Sequence, residues 1–282
     1  MWPLILRKNS LHPDKNFDDI DVHENLYPLL WAGSDQERLM KKYPAYATIF
    51  IAYIFGGGSL VMFVAFCYGG SLHLVELGLN ESGILFFDFC LSVAFFLQHS
   101  GMVRKSFRRF LSRFIPEVYV SAFYAISSGI VLFAVIIFWQ ESSSTVATAK
   151  GALRVLLRAI FAASIVGFYW GTKALGFFDP YGIRAIKYGL RGKKPKETPL
   201  TISGPYRWVR HPLYLFVLLM IWSCPDLTFD RLLFKVLWSV WIYIGAMLEE
   251  RDLVADFGEA YREYKRKVPM LIPWRIHPSW PE

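Results

Sequence analysis

The chain has 282 residues, of which 54% are hydrophobic, 17% aromatic and 19% charged, and its mean hydropathy is +0.32. That is more apolar and less charged than a soluble domain, and the excess lies in long apolar stretches, so the class is integral membrane protein. A net charge of +8 would suggest a nucleic-acid partner in a soluble protein. Here the basic residues gather in short loops between apolar spans, as the positive-inside rule requires, and nucleic acid is excluded as a partner.

Residues 1–42 read as a polar cytoplasmic arm with no basic stretch leading into an apolar core, so a cleaved signal peptide is not expected. Within it, Leu26, Leu29, Leu30 and Trp31 outline a short interfacial helix. Residues 43–282 form the membrane domain. Its first span covers Ala45–Tyr68 and contains Gly56-Gly57-Gly58, small residues that allow close helix packing in a bilayer. Further spans cover Ile84–Gln98, Val118–Phe138 and Ala152–Leu175.

The next apolar run, Leu213–Cys224, is short, roughly 18 Å as a helix. "PDLTFD" interrupts it, and Leu232–Leu248 follows. The pair reads as a helical hairpin whose first arm is short or partly buried among other helices. Leu248–Val268 carries Leu253, Val254, Phe257, Tyr261, Tyr264 and Val268 at helical spacing, an amphipathic helix on the cytoplasmic side. The expected fold is all-α and polytopic, with about six transmembrane helices. The strongly basic connections alternate with ones poor in Lys and Arg, which puts both termini in the cytoplasm.

The three cysteines, Cys67, Cys90 and Cys224, are isolated and form no CxxC pair, so they read as small buried hydrophobes. His12, His23, His73 and His277 show no metal-ligand spacing, and no metal is expected.

"GPYRWVRHPLYLF", Gly204–Phe216, places Arg210 and His211 just before Pro212, which suits the first turn of a helix. The stretch is either an interfacial anchor or an anion site made by free amides, the guanidinium and the imidazole. The hairpin should return Glu249 and Glu250 to the same side. They are either a structural ion pair at the start of a solvated helix, or one of them is a partner for a ligand's ribose hydroxyl or ammonium or the fixer of a catalytic arginine. Gln98, His99 and Ser100 make a polar step at the end of the second span, and "GFFDPYGIR" either lines a site or caps a helix.

The ordered set "GPYRWVRHPLY", "EERDL" and "FGEAYREYKRKVPMLIP" resembles the isoprenylcysteine carboxyl methyltransferase superfamily. "QHSGMVRKSFRRFLSRFIPE", "FFDPYGIR" and "CPDLTFDRLLF" are similar to its methanethiol S-methyltransferase, NnrU and nurim branch. The resemblance covers most of residues 45–275 and implies S-adenosyl-L-methionine as cofactor, held by about residues 200–275. It implies Arg210, His211, Tyr214 and Glu250 as cofactor-site residues, with Glu249, Tyr261 and Tyr264 beside them. His99 and Arg210 are the candidates for direct roles in the reaction, His99 near the acceptor. The implied activity is S-methylation of a small thiol such as methanethiol, giving dimethyl sulfide. The alternatives are a prenylated cysteine carboxylate or other lipid-like acceptor, or a non-catalytic protein of the nurim or NnrU kind.

Overall fold

The computed structural model describes residues 35–176, 179–193, 200–274 and 280, without the side chains of 35–41. The interfacial helix expected on Leu26–Trp31 lies outside them. Helix α1 (Asp35–Ala52) runs through a π-helical turn (Tyr53–Gly57) into α2 (Gly58–Gly69), so the helix starts before the first apolar residue of the span. Then come α3 (Glu81–Val103), α4 (Lys105–Leu111), α5 (Glu117–Phe138), β1 (Thr145–Thr148) and α6 (Gly151–Ala174). The chain continues through α7 (Ile183–Leu190), a 3-10 turn (Gly204–Arg207), α8 (Pro212–Trp222), β2 (Asp226–Thr228), α9 (Phe229–Phe257) and α10 (Glu259–Lys267).

Among the described residues, five helical stretches are long and apolar enough to cross a bilayer: Lys42–Gly69, Glu81–Val103, Glu117–Phe138, Gly151–Ala174 and Phe229–Phe257. The 11-residue α8 is the short arm of the hairpin. It packs against α6, α2 and α9, which is how an apolar helix too short to span is covered.

Close packing around the glycines sets the bundle. A Cβ on Gly129 of α5 would lie 2.2 Å from the Phe55 carbonyl oxygen, so the π-helical turn rests directly on the α5 backbone. The core is aromatic. Phe95 of α3 stacks on Trp238 of α9 at 5.1 Å, and Phe96 stacks on Trp241 at 4.5 Å.

At one end of the bundle β1 and β2 pair antiparallel, Thr145 opposite Thr228 and Thr148 opposite Asp226. Arg154 holds both carboxylate oxygens of Asp226 at 2.9 Å. Buried Asp230 accepts from Trp139 Nε1 and the Ser142 amide, each at 3.0 Å, and so ties the α5–β1 connection to α9. Cys67 and Cys224 are buried as expected, but Cys90 is exposed on the outer face of α3, so the buried reading does not hold for it.

At the opposite end one sequence expectation changes and an open one is resolved. The amphipathic helix is not continuous: Gly258 takes φ 60° and ψ −131°, a conformation closed to side-chain-bearing residues, and divides it into the end of α9 and a separate α10. Asp179 caps, as one of its two readings had it, and its carboxylate accepts the amides of Ile183 and Arg184 at 2.9 and 2.8 Å. The ion pair of Lys105 with Asp256, 2.9 Å, shows that α3 and α9 finish at this same end.

Candidate active site

The segment before α8 is held in place by the C-terminal chain. The Arg210 and His211 amides donate to the carbonyls of Pro269 (2.8 Å) and Met270 (3.1 Å). Pro212 then opens α8, where it lacks no bond. The amides of Arg210 and His211 are therefore spent on protein carbonyls and are not among the donors open to a ligand.

The guanidinium of Arg210 is likewise committed. Its Nε donates to Glu250 Oε1 at 2.6 Å, and its Nη1 donates to the carbonyls of Lys265 (2.9 Å) and Val268. Glu250 also meets Lys265 Nζ at 2.8 Å and stands 3.4 Å from His211 Nε2. Both partners of the Arg210–Glu250 pair are under a tenth exposed. A charge buried in this way persists only when paired and hydrogen-bonded, and here one carboxylate serves both Arg210 and Lys265, while the nearby His211 Nε2 makes no hydrogen bond among the described residues.

Arg210, His211, Tyr214, Glu249, Tyr261 and Tyr264 line one small polar cavity of about 30 Å³, together with Tyr206 and Leu213. Glu250 is not part of that wall and sits behind it. The two adjacent glutamates thus divide: Glu250 fixes Arg210, while Glu249 faces the cavity and accepts the Tyr214 hydroxyl at Oε2. The Tyr214 ring stacks on His211, 5.3 Å between centroids and 7° apart. Tyr264 donates to the Tyr206 carbonyl at 2.6 Å. The Tyr261 hydroxyl is buried without a hydrogen-bond partner among the described residues. Burial, and after it the Glu250 carboxylate, raises the Tyr261 phenol far above its ordinary pKa, and burial likewise raises Tyr264 and Tyr206. These tyrosines stay neutral donors at any physiological pH.

His99 is not in this group. It lies in a second cavity of about 180 Å³ inside the bundle, with walls that include Phe63, Phe95, Trp238 and Trp241. Its Nε2 is 2.7 Å from the Tyr124 hydroxyl, and its ring packs on Phe95 and Trp241. Next to it, Trp241 Nε1 donates to Ser100 Oγ at 3.0 Å. Pro180 and Tyr181, next to the Asp179 cap, also line this cavity.

The two cavities share their scaffold. On α8, Tyr214 faces the polar cavity and Val217 the apolar one. On α9, Ile242 lines the apolar cavity and Glu249 the polar one. One helical turn on α8, about 5 Å, separates the two lining residues.

Tyr124, Tyr206 and the cavity-lining tryptophans were not singled out from sequence. For Tyr124 a signal was present: it and His99 flank the short α4 connection at similar distances, so antiparallel packing of α3 and α5 brings them level.

Comparison with known proteins gives this arrangement its class, a membrane methyltransferase. The chain is 37% identical over 194 residues to a methanethiol S-methyltransferase of a Pseudomonas species, covering 67% of this chain and 73% of the relative. It is 30% identical over 240 residues to the methanethiol S-methyltransferase of Mycobacterium tuberculosis, covering 80% and 97%. Nurim of Rattus norvegicus is 25% identical over 187 residues, covering 60% and 68%. No family model and no solved structure matches the chain. The chain belongs to the methanethiol S-methyltransferase family.

Proposed function

We propose that the chain transfers a methyl group from S-adenosylmethionine to a small apolar thiol such as methanethiol, forming dimethyl sulfide. The observation that carries this reading is the pair of cavities one turn apart on α8, one walled by Arg210, His211, Glu249 and tyrosines, the other apolar with a histidine in its wall.

The donor set of the polar cavity fits the cofactor. The Glu249 carboxylate suits a ribose hydroxyl or an ammonium group, and the buried, unpartnered Tyr261 hydroxyl is a donor in want of an acceptor. Its enclosed volume of about 30 Å³ is smaller than the cofactor, so the bound cofactor would extend beyond these walls. When bound, S-adenosylmethionine supplies a methyl group on a cationic sulfur. Glu249, Tyr214, His211 and Tyr261 bind and orient, and Glu250 keeps Arg210 in the wall.

The thiol occupies the apolar cavity. His99, aligned by Tyr124, takes its proton, because the thiolate rather than the thiol is the nucleophile. The aromatic walls exclude water, which strengthens the attraction between thiolate and cation and holds the two sulfurs in line. An apolar thiol partitions into lipid, a physical reason for placing the enzyme in a membrane. In this reading residues 43–282 form the membrane methyltransferase domain, and the α10 end faces the cytosol across the bacterial cytoplasmic membrane.

The test is purified protein with labelled S-adenosylmethionine and methanethiol, and dimethyl sulfide measured in the headspace. Failure to bind the donor would refute the methyltransferase site. Donor binding without dimethyl sulfide would refute the acceptor.

A further inference from the structure

The acceptor cavity is larger than methanethiol requires. Methanethiol has two non-hydrogen atoms. The cavity measures about 180 Å³, whereas a dry cavity of about 150 Å³ lined by Leu, Ile and Phe holds benzene. Its lining is mostly apolar. His99 and Tyr124 face each other at 2.7 Å, the Ser59 hydroxyl is spent on the Gly56 carbonyl at 3.0 Å, and Ser128 Oγ accepts from Gln98 Nε2 at 3.4 Å. Elsewhere the wall includes aromatic faces held rigidly by one another, Phe95 and Trp238 lying 11° from parallel. Around a two-atom ligand such walls would keep unfilled space, and lining atoms without partners forfeit contact energy.

We propose that this cavity also takes larger apolar thiols, of the class of pentanethiol and thiophenol, with the sulfur at the His99–Tyr124 corner and the carbon skeleton along the aromatic wall. The inference rests on the thiol methyltransferase reading above. The step balances as for methanethiol. The thiol S–H proton leaves by way of His99 to solvent, and the new S–CH3 bond forms as the donor's sulfonium–methyl bond breaks. The products are a methyl thioether, the demethylated donor and one proton.

The full-length protein in detergent is assayed with methanethiol, pentanethiol and thiophenol at equal free concentration. All three are expected to be methylated, the larger two within about tenfold of methanethiol in kcat/KM. Val217→Phe narrows the cavity and should lower the pentanethiol-to-methanethiol ratio about tenfold, while Leu132→Ala enlarges it and should raise that ratio. Without donor, thiophenol should raise the Tm of the unmodified protein and not that of Val217→Phe.

Methylation of methanethiol alone would overturn the larger-thiol proposal and leave the proposed function intact. Methylation of none of the three would overturn both. Larger thiols methylated with an unchanged ratio in both variants would show that they react outside this cavity, and would also overturn it.

Discussion

Glu250→Gln separates a supporting carboxylate from a ligand-facing one. The substitution keeps the volume and one acceptor oxygen but removes the charge that Arg210 meets at 2.6 Å and Lys265 at 2.8 Å. Lys265 is about half exposed and can turn to water, so its share of the loss is small. Arg210 cannot leave, because the carbonyls of Lys265 and Val268 hold its Nη1. The dominant loss is one broken buried ion pair, which costs about 3–5 kcal/mol. The remaining amide oxygen and the two carbonyls favour the lower end, about 3 kcal/mol, or a fall in apparent Tm on the order of 10 °C. The measurement is thermal unfolding in detergent beside donor binding by calorimetry, with Glu249→Gln as the contrast. Glu249→Gln should lose donor affinity by tenfold or more with little change in Tm. If Glu250→Gln melts within about 1 °C of the parent, or the two variants behave alike, the division of labour between the glutamates is wrong.

His99→Ala should slow methyl transfer about 10²- to 10⁴-fold while leaving donor affinity unchanged, checked by single-turnover rates at saturating donor. Gly129→Ala should destabilise the bundle by about 1–3 kcal/mol, read by thermal unfolding, because its new methyl would meet the Phe55 carbonyl oxygen. The Arg154 hydrogen bonds hold the Asp226 carboxyl below its ordinary pKa. Its stabilising contribution is therefore fully present above about pH 4 and is lost as pH falls through the lower folded value. The Tm gap between the parent and Asp226→Asn should close as pH drops below 4, and its size near neutrality should be modest, since the pair is partly exposed.

The spans were legible because hydrophobic length reports directly on bilayer thickness, and α3, α5 and α6 begin and end within a few residues of the apolar runs. The meeting of Arg210 and His211 with Glu249 and Glu250 was legible too, because a hairpin has one way to return. What each glutamate does was not. That depends on the carbonyls of Lys265 and Val268, backbone groups that every sequence possesses and none advertises. The break at Gly258 was hidden by apolar periodicity that continues on both sides of it. The apolar cavity was hidden as well, since its walls come from six different helices and from Pro180 and Tyr181 of a connection, and its volume reflects how they fail to fill space together.

The clasp of the α8 entrance by Pro269, Met270, Lys265 and Val268 has a consequence for the order of assembly. The membrane helices can insert one after another as they are made. The polar cavity can exist only after the segment that follows α10 has been synthesised and has folded back onto Arg210. In the proposed reading the inserted bundle therefore passes through a stage without its donor pocket, and the segment around Lys265–Met270 acts as a latch on that pocket.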